Sequence, residues 1–268
     1  MVESLKELNK ICQKPRYKEV GNWMVRHILR DAALPVTRLL LHTNVTANQV
    51  TLFSMLVGLA GAVAFSFLPR SAFLIGALLL QLWYFLDHVD GQIARYRGTA
   101  GLTGRFFDFL THHIIHGTIF FGLGFYAFRV TENSFFLLWG FSASLAILMF
   151  NLVHDTKYKT FFERFNNAKK IEFLESTADV LDEKSQGGRA ILRRGFSLFH
   201  KLCEIHVLMN LLTPAAIVQF WTAADLRFLL FILYGLLAPF IAVVKISYLI
   251  THKEIDDEFS RRFRVENR

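Results

Sequence analysis

The sequence predicts an all-α integral membrane protein with six transmembrane helices and an N-terminal interfacial amphipathic helix. Composition is the first reason: 53% of the 268 residues are hydrophobic and 15% are aromatic, which is more than one soluble core requires. The second reason is a series of six apolar segments, each near the roughly 20 residues that cross a bilayer. Their predicted bounds are 49–68, 71–92, 104–128, 134–153, 204–222 and 227–250.

The charge of the connecting segments predicts the orientation of these helices. The formal net charge of +8 is compatible with nucleic-acid binding, but the basic residues are concentrated in alternate connections, which is typical of cytoplasmic loops in membrane proteins. We therefore expect membrane lipid, and not nucleic acid, beside them. The poorly charged set comprises 69–70, 129–133 and 222–227, and the basic set comprises 6–38, 95–105, 157–201 and 261–264. Both termini are then expected in the cytoplasm, which requires an even number of spans.

The same pattern divides the chain into three parts. Residues 1–48 are predicted to form a cytoplasmic and interfacial segment, and 49–250 to form the six-span domain, with a cytoplasmic insertion at about 154–201. Residues 251–268 are a charged cytoplasmic tail, expected to begin as a helix and then fray. The insertion is expected to hold two surface helices separated by a glycine turn at 186–188.

The first part contains the predicted interfacial helix, at about 17–42. It mixes apolar residues with arginines, which suits a helix lying between headgroups and acyl chains, and Pro35 is expected to break or bend it. Thr46 or Asn48 is expected to cap the first span. The charged first 18 residues do not predict a cleavable signal peptide. Cys12 and Cys203 are interpreted as ordinary small apolar residues.

The polar stretch from Asp87 to Arg95 interrupts this apolar pattern. Asp87, Asp90, Gly91 and Ala94 have helical spacing and share one face of the second span. Asp108 and His112 are one turn apart on the next span, so antiparallel packing would bring three carboxylates and an imidazole together. Because unpaired carboxylates are costly in a membrane, the group predicts a hard divalent cation such as Mg²⁺, Mn²⁺ or Ca²⁺.

Two further features of this stretch indicate the kind of ligand. The small residues Gly91 and Ala94 leave room beside the acidic face for a bulky group. The nearby arginines Arg95, Arg97 and Arg105 suit a phosphate-bearing one. Together, cation, space and arginine predict a substrate that contains a pyrophosphate.

The spacing of these residues resembles a family signature. The pattern Asp87-x-x-Asp90-Gly91-x-x-Ala94-Arg95, then eight residues, then Gly104-x-x-x-Asp108 is similar to that of the CDP-alcohol phosphotransferases, also called CDP-alcohol phosphatidyltransferases. These are integral membrane enzymes of phospholipid synthesis. The resemblance implies transfer of a phospho-alcohol or phosphatidyl group from a CDP-linked donor to an alcohol acceptor with release of CMP, Mg²⁺ or Mn²⁺ as cofactor, and a homodimer.

The resemblance also implies roles for individual residues. Asp87, Asp90 and Asp108 would be metal ligands. Gly91, Ala94, Arg95 and Gly104 would line the CDP pocket. The family pattern ends in a fourth aspartate, which both deprotonates the acceptor and helps to bind metal, and this position is His112 here. Histidine can accept a proton and can ligate a metal, so His112 is assigned both roles.

The histidine leaves three interpretations open: a natural histidine-base variant, an enzyme with altered metal use, or an impaired relative. A function of another class is a non-catalytic protein that binds lipid or a CDP-linked donor. A transporter with an acidic ion site is disfavoured because the sequence lacks two-half symmetry. Structural roles are expected for His88, His113 and His116. Two roles remain open for a further set of polar residues: contact with the acceptor alcohol, or a lipid-binding or structural role. The set is Glu204, His206, Asn210, Lys245, Arg38, Lys157, Arg193 and Arg194.

Overall fold

The fold, described from a computed structural model, is a bundle of long α-helices. The structure describes residues 2–14, 16–19, 21–174, 195, 197–199 and 201–267. Five helices in these ranges are long and apolar enough to cross a membrane: α3 (Ala47–Ala64), α4 (Arg70–Tyr96), α5 (Leu102–Thr131), α6 (Phe135–Asn166) and α8 (Leu226–Thr251). A sixth span results if α7 (Ile205–Trp221) and the helical segment Ser197–Cys203, bent by 62° relative to each other, cross together. The predicted class of helical membrane protein is confirmed.

The helix bounds agree with the predicted spans except at the end of α6. This helix continues past the predicted end at 153 to Asn166, because the polar residues that follow include no glycine or proline to stop it. The first predicted surface helix of the insertion is thus a continuation of α6. The glycine turn at 186–188 lies outside the described residues.

A short sheet follows α6. Strand β1 (Ala168–Phe173) pairs in antiparallel fashion with β2 (Phe263–Asn267), with Ile171 opposite Val265. The C-terminal tail reaches it through α9 (Glu254–Arg262). The end of the tail therefore forms a strand where the sequence predicted fraying.

The N-terminal part differs from the single helix predicted at 17–42. An additional helix, α1 (Leu5–Cys12), comes first, followed by a π-helix at Val25–Leu29 and then α2 (Arg30–Leu41). Pro35 lies inside α2, which continues beyond it to Leu41, so Pro35 does not break the helix, and the alternative of a bend stays a prediction. This segment exposes large apolar side chains, including Trp23 at 63% and Leu39 at 68% exposure. Such side chains are typical of a helix that lies in the membrane interface.

Helix α3 fixes the positions of α4 and α5 because it packs against both. It begins with the predicted cap: the Thr46 hydroxyl accepts from the Gln49 amide at 3.3 Å, and the Gln49 side chain accepts from the Thr46 amide at 2.8 Å. Small residues allow the close approach. A Cβ atom on Gly76 would lie 2.7 Å from the Gly61 carbonyl oxygen, so the α3–α4 contact requires glycine there.

A buried arginine holds one end of the bundle together. Arg227 is 0% exposed, and its guanidinium donates to the carbonyl groups of Phe67 at 2.6 Å and Leu68 at 3.1 Å. It also lies 3.3 Å from the centroid of the Tyr126 ring, whose hydroxyl donates to Asp225. The link between α3 and α4 is thereby tied to α5 and to the start of α8.

Candidate active site

The candidate site lies at the other end of α4 and α5, where one turn joins them. Gly98, at φ 64°, has a left-handed conformation that suits glycine. The neighbouring Arg97 donates to the carbonyl groups of Val45 at 2.6 Å and Thr43 at 2.7 Å. Arg97 thus fixes the turn against the α2–α3 link and, contrary to prediction, does not line the site.

His112 joins the two acidic helices at the centre of the site. Its Nε2 atom lies 2.9 Å from Oδ1 of Asp87 and 3.4 Å from Oδ1 of Asp108. The imidazole ring also meets the ring of the buried Trp83 edge to face, with centroids 4.9 Å apart. An ionised carboxylate only accepts, so a hydrogen bond to ionised Asp87 requires the proton to be on Nε2. The convergence of α4 and α5 predicted from helical spacing is present.

Asp90 is held separately, by α3. The Thr51 hydroxyl donates to Oδ2 of Asp90 at 2.5 Å, and the Asp90 residue is only 7% exposed. The next residue but one, Gln92, points toward α2, where its amide oxygen accepts from the Thr37 hydroxyl at 2.7 Å. The structure therefore brings Asp87, Asp108 and His112 into one cluster, and places Asp90 beside it with a hydroxyl partner.

The cluster opens into a cavity of about 1100 Å³ between α3, α4, α5 and the N-terminal segment. All seven residues of the family-like pattern line this cavity: Asp87, Asp90, Gly91, Ala94, Arg95, Gly104 and Asp108. Its wall also carries the cations Lys14, Arg30, Arg95 and Arg105. The sequence predicted Arg95 and Arg105 here. Carboxylates and cations facing one space can hold a metal ion together with a negatively charged ligand.

The cluster meets the requirements of a divalent cation. One ligand atom from each of Asp87, Asp108 and His112 can be chosen so that the three lie within 4.8 Å of one another. Oδ1 of Asp108 is buried and makes no hydrogen bond with any described residue, although it lies near His112. A buried carboxylate oxygen without a hydrogen bond is costly unless a cation or proton occupies the site. The two carboxylate oxygens suit Mg²⁺ or Mn²⁺, whereas an imidazole nitrogen is a ligand preferred by transition metals.

Two glycines determine the space beside Arg95 and at the start of α5. A Cβ atom on Gly91 would lie 3.2 Å from Nη1 of Arg95, so a side chain there would crowd the guanidinium. A Cβ atom on Gly104 would lie 3.7 Å from Oδ1 of Asn48, which also lines the cavity. Both glycines keep the cavity wall open where the sequence predicted a bulky ligand.

The other histidines differ in their surroundings. His116 is buried and lies 3.1 Å from the Asn151 amide on α6, as expected of an interhelical contact. His113 lies 3.2 Å from Asp155. His88 lines the cavity, with Nδ1 2.8 Å from the Tyr84 carbonyl oxygen and 3.7 Å from Asp87. His88 therefore lies beside the acidic group, and its structural role stays a prediction.

The remaining acceptor candidates do not line the large cavity. Lys157 and Lys245 lie around a separate cavity of about 220 Å³, where Lys157 pairs with Glu258 at 3.0 Å. Glu204 pairs with His206 at 3.1 Å. Asn210 lies 3.5 Å from Gln81 Nε2. Arg193 and Arg194 lie outside the described residues.

Sequence comparison places this site in a known family. Residues 44–172, which include the whole polar pattern and helices α3 to α6, match the family model described as CDP-alcohol phosphatidyltransferase. Residues 44–172 belong to the CDP-alcohol phosphatidyltransferase family. The resemblance deduced from the spacing of Asp87 to Asp108 is confirmed.

Individual proteins similar to this chain come from archaea and bacteria. A bifunctional IPC transferase and DIPP synthase of Thermococcus kodakarensis is 29% identical over 84% of this chain. A phosphatidylinositol phosphate synthase of Streptomyces avermitilis is 31% identical over 39% of it. The chain spans only about half the length of these curated relatives, 49% and 42% respectively.

Solved structures of Mycobacterium tuberculosis phosphatidylinositol phosphate synthase also match. The structure with CDP-DAG bound is 17% identical, with a TM-score of 0.43 over 80% of this chain and 96% of that chain. The structure in complex with manganese and citrate is 15% identical, with a TM-score of 0.43 over 78% of this chain and 91% of that chain.

Proposed function

We propose that the protein transfers a phospho-alcohol or phosphatidyl group from a CDP-linked donor to the hydroxyl of an acceptor alcohol, with release of CMP. One observation carries the proposal: all seven residues of the family pattern line a single cavity, and two of them, Asp87 and Asp108, form a cluster with His112. The cavity offers both the carboxylates that hold a cation and the arginines that hold phosphate.

The carboxylates of Asp87, Asp90 and Asp108 would hold the divalent cation, with His112 Nε2 within reach of the same position. A cation there neutralises the charge of a diphosphate and polarises its phosphorus. Arg95 and Arg105 would bind the phosphate oxygens. Gly91, Ala94 and Gly104 leave the wall open for the rest of the CDP group.

The acceptor hydroxyl would attack the phosphorus distal to the cytidine and lose its proton to Nε2 of His112, in the state in which Asp87 and Asp108 hold the cation and Nε2 carries no proton. A proton accepted on Nε2 is stabilised by two carboxylates, since Asp87 lies at 2.9 Å and Asp108 at 3.4 Å. The bond from that phosphorus to the bridging oxygen breaks, and CMP leaves. A histidine therefore does here what the family's fourth aspartate does.

The orientation and assembly follow the same proposal. The cavity end of the bundle carries Lys14, Arg30, Arg97, Arg105 and Lys157, which supports a cytoplasmic active site and cytoplasmic termini. The homodimer is supported only by resemblance to the family. The relatives named phosphatidylinositol phosphate synthase make CDP-diacylglycerol and an inositol phosphate the first substrate pair to test.

The test is CMP release by the purified full-length chain in lipid nanodiscs. The donors are CDP-diacylglycerol, CDP-choline, CDP-ethanolamine and CDP-inositol, each with Mg²⁺ and with Mn²⁺. We expect CMP from one donor class, dependent on the cation. If no donor yields CMP in the native chain or in His112→Asp, while a donor still binds, the protein is a non-catalytic binding relative and the proposed reaction is wrong.

A further inference from the structure

The N-terminal helix α1 packs against α2 and α4 beside the candidate site. It is capped by Ser4 and Glu7, which form a complete capping box. Leu8 and Cys12 of α1 are both 0% exposed and pack with Leu34 of α2. Residues that lie before the matched family region, 44–172, are thereby fixed beside the cavity.

The end of α1 contacts the arginine of the family pattern. The carbonyl group of Cys12 accepts a hydrogen bond from Nε of Arg95. Because Nε is engaged from the α1 side, the guanidinium plane is fixed with Nη1 and Nη2 beside Gly91. These two nitrogens are the ones that can form paired hydrogen bonds to phosphate oxygens.

Lys14 follows two residues later and lines the same cavity, together with Arg30 and Arg95. The Lys14 ammonium makes no hydrogen bond or ion pair with any described residue. Its partial burial, and then the charges of Arg95 and Arg30, lower the pKa of Lys14. The cavity's carboxylates, Asp87, Asp90 and Asp108, offset part of the repulsion among these three cations, and an anionic ligand between the cations would relieve the rest.

We propose that the N-terminal segment is part of the substrate site: Lys14 binds a phosphate group of the substrate, and the Cys12 carbonyl orients Arg95 toward the same group. This inference rests on the proposed function and adds a ligand-binding residue to it. The phosphate belongs either to the diphosphate of the donor or to a phosphorylated acceptor. Lys14 would bind a phosphate group in either case, and kinetic measurements distinguish the two sources of that phosphate.

The test compares Lys14→Gln with Lys10→Gln in the full-length chain. Lys10 is the matched control because it lies on the exposed side of α1, one turn earlier. We expect Lys14→Gln to raise the KM of one substrate about tenfold, as loss of a charged hydrogen bond does, with kcat changed less than twofold. Lys10→Gln should behave as the native chain, and Lys14→Arg should retain the native KM.

The substrate whose KM rises identifies the phosphate: the CDP-linked donor indicates the diphosphate, and the acceptor indicates an acceptor phosphate. Unchanged KM values for both substrates in Lys14→Gln would overturn the inference. If the native chain releases no CMP from any donor, the proposed function fails first. Calorimetry with CDP and with inorganic phosphate, each in the presence of Mn²⁺, then tests the role of Lys14 independently of activity. If the native chain and Lys14→Gln bind both probes with equal affinity, the inference about Lys14 is also overturned.

A second variant tests whether the packing of α1 positions Lys14 at the cavity. Leu8→Ser weakens the packing of α1 on α2 and should raise the same KM as Lys14→Gln. In the double variant, the two effects should not add, because an undocked α1 no longer places Lys14 at the cavity. Full additivity of the two effects would contradict delivery by α1, and an unchanged thermal midpoint of Leu8→Ser shows that the bundle remains folded.

Discussion

Nε2 of His112 and Oδ1 of Asp87 lie 2.9 Å apart, although the two residues are 25 positions apart on different helices. The contact joins the end of α4 to the start of α5 at the wall of the large cavity. It also places an imidazole where the family pattern has a carboxylate. His112 is therefore the position at which this chain departs from the family pattern.

Variants of His112 separate its two roles. His112→Gln should lower kcat about a hundredfold, because the proton acceptor is lost while a side chain of similar length remains. Mn²⁺ affinity, measured by electron paramagnetic resonance, should change little if Asp87, Asp90 and Asp108 hold the cation. A loss of Mn²⁺ binding equal to the loss of activity would show that His112 acts as a ligand. His112→Asp, which restores the family pattern, should retain activity.

We expect Thr51 to affect the reaction through its hydrogen bond to Asp90. Thr51→Val removes the hydroxyl that donates to Asp90 at 2.5 Å and leaves a buried carboxylate with one partner fewer. We expect about a tenfold fall in kcat/KM for CMP release. Thr51→Ser keeps the hydroxyl and serves as the control. Equal activity of the valine and serine variants would mean that this hydrogen bond has no part in the reaction.

Arg227 should stabilise the bundle without affecting the chemistry. Arg227→Met leaves the carbonyl groups of Phe67 and Leu68 without their donor, at a cost of about 3 kcal/mol. The thermal midpoint of the purified protein should fall, while CMP release at low temperature stays near the native value. Arg70→Met, an exposed arginine beside the same link, should not shift the midpoint. A native midpoint in Arg227→Met would contradict the structural role.

Site-directed labelling tests the orientation. In a chain with Cys12→Ser and Cys203→Ser, a cysteine at Ala224, in the exposed link between α7 and α8, should react with a membrane-impermeant maleimide in intact cells. Cysteines at Lys6 and Asp257 should react only after permeabilisation, because six spans place both termini in the cytoplasm. Opposite accessibility of Lys6 and Asp257 would require an odd number of spans.

Helical spacing was sufficient to predict the centre of the site. Asp87 and Asp90 on one helix, and Asp108 and His112 on the next, lie on faces fixed by 3.6 residues per turn. A short connection leaves little freedom in how the two helices meet. Local sequence also predicted the five long apolar helices and the cap of α3, for which Thr46 was one of two candidates.

Contacts between distant segments were not predictable in the same way. The Thr51 to Asp90 hydrogen bond depends on which face of α3 meets α4, and periodicity in one helix does not determine its partner. Strands β1 and β2 are short and distant in sequence. Helix α1 did leave a local signal, since Ser4 and Glu7 form a capping box before Leu8 and Cys12. The position of α1 beside Arg95 left no signal in the sequence.

The most direct test of the account is CMP release by the native chain and by Asp108→Asn in proteoliposomes that contain CDP-diacylglycerol and an inositol phosphate. Native release should stop on addition of a chelator, return with Mn²⁺ or Mg²⁺, and be at least about a hundredfold faster than in Asp108→Asn. Release that persists in the chelator, or that is equally fast in Asp108→Asn, would contradict a reaction carried out at the Asp87, Asp108 and His112 cluster.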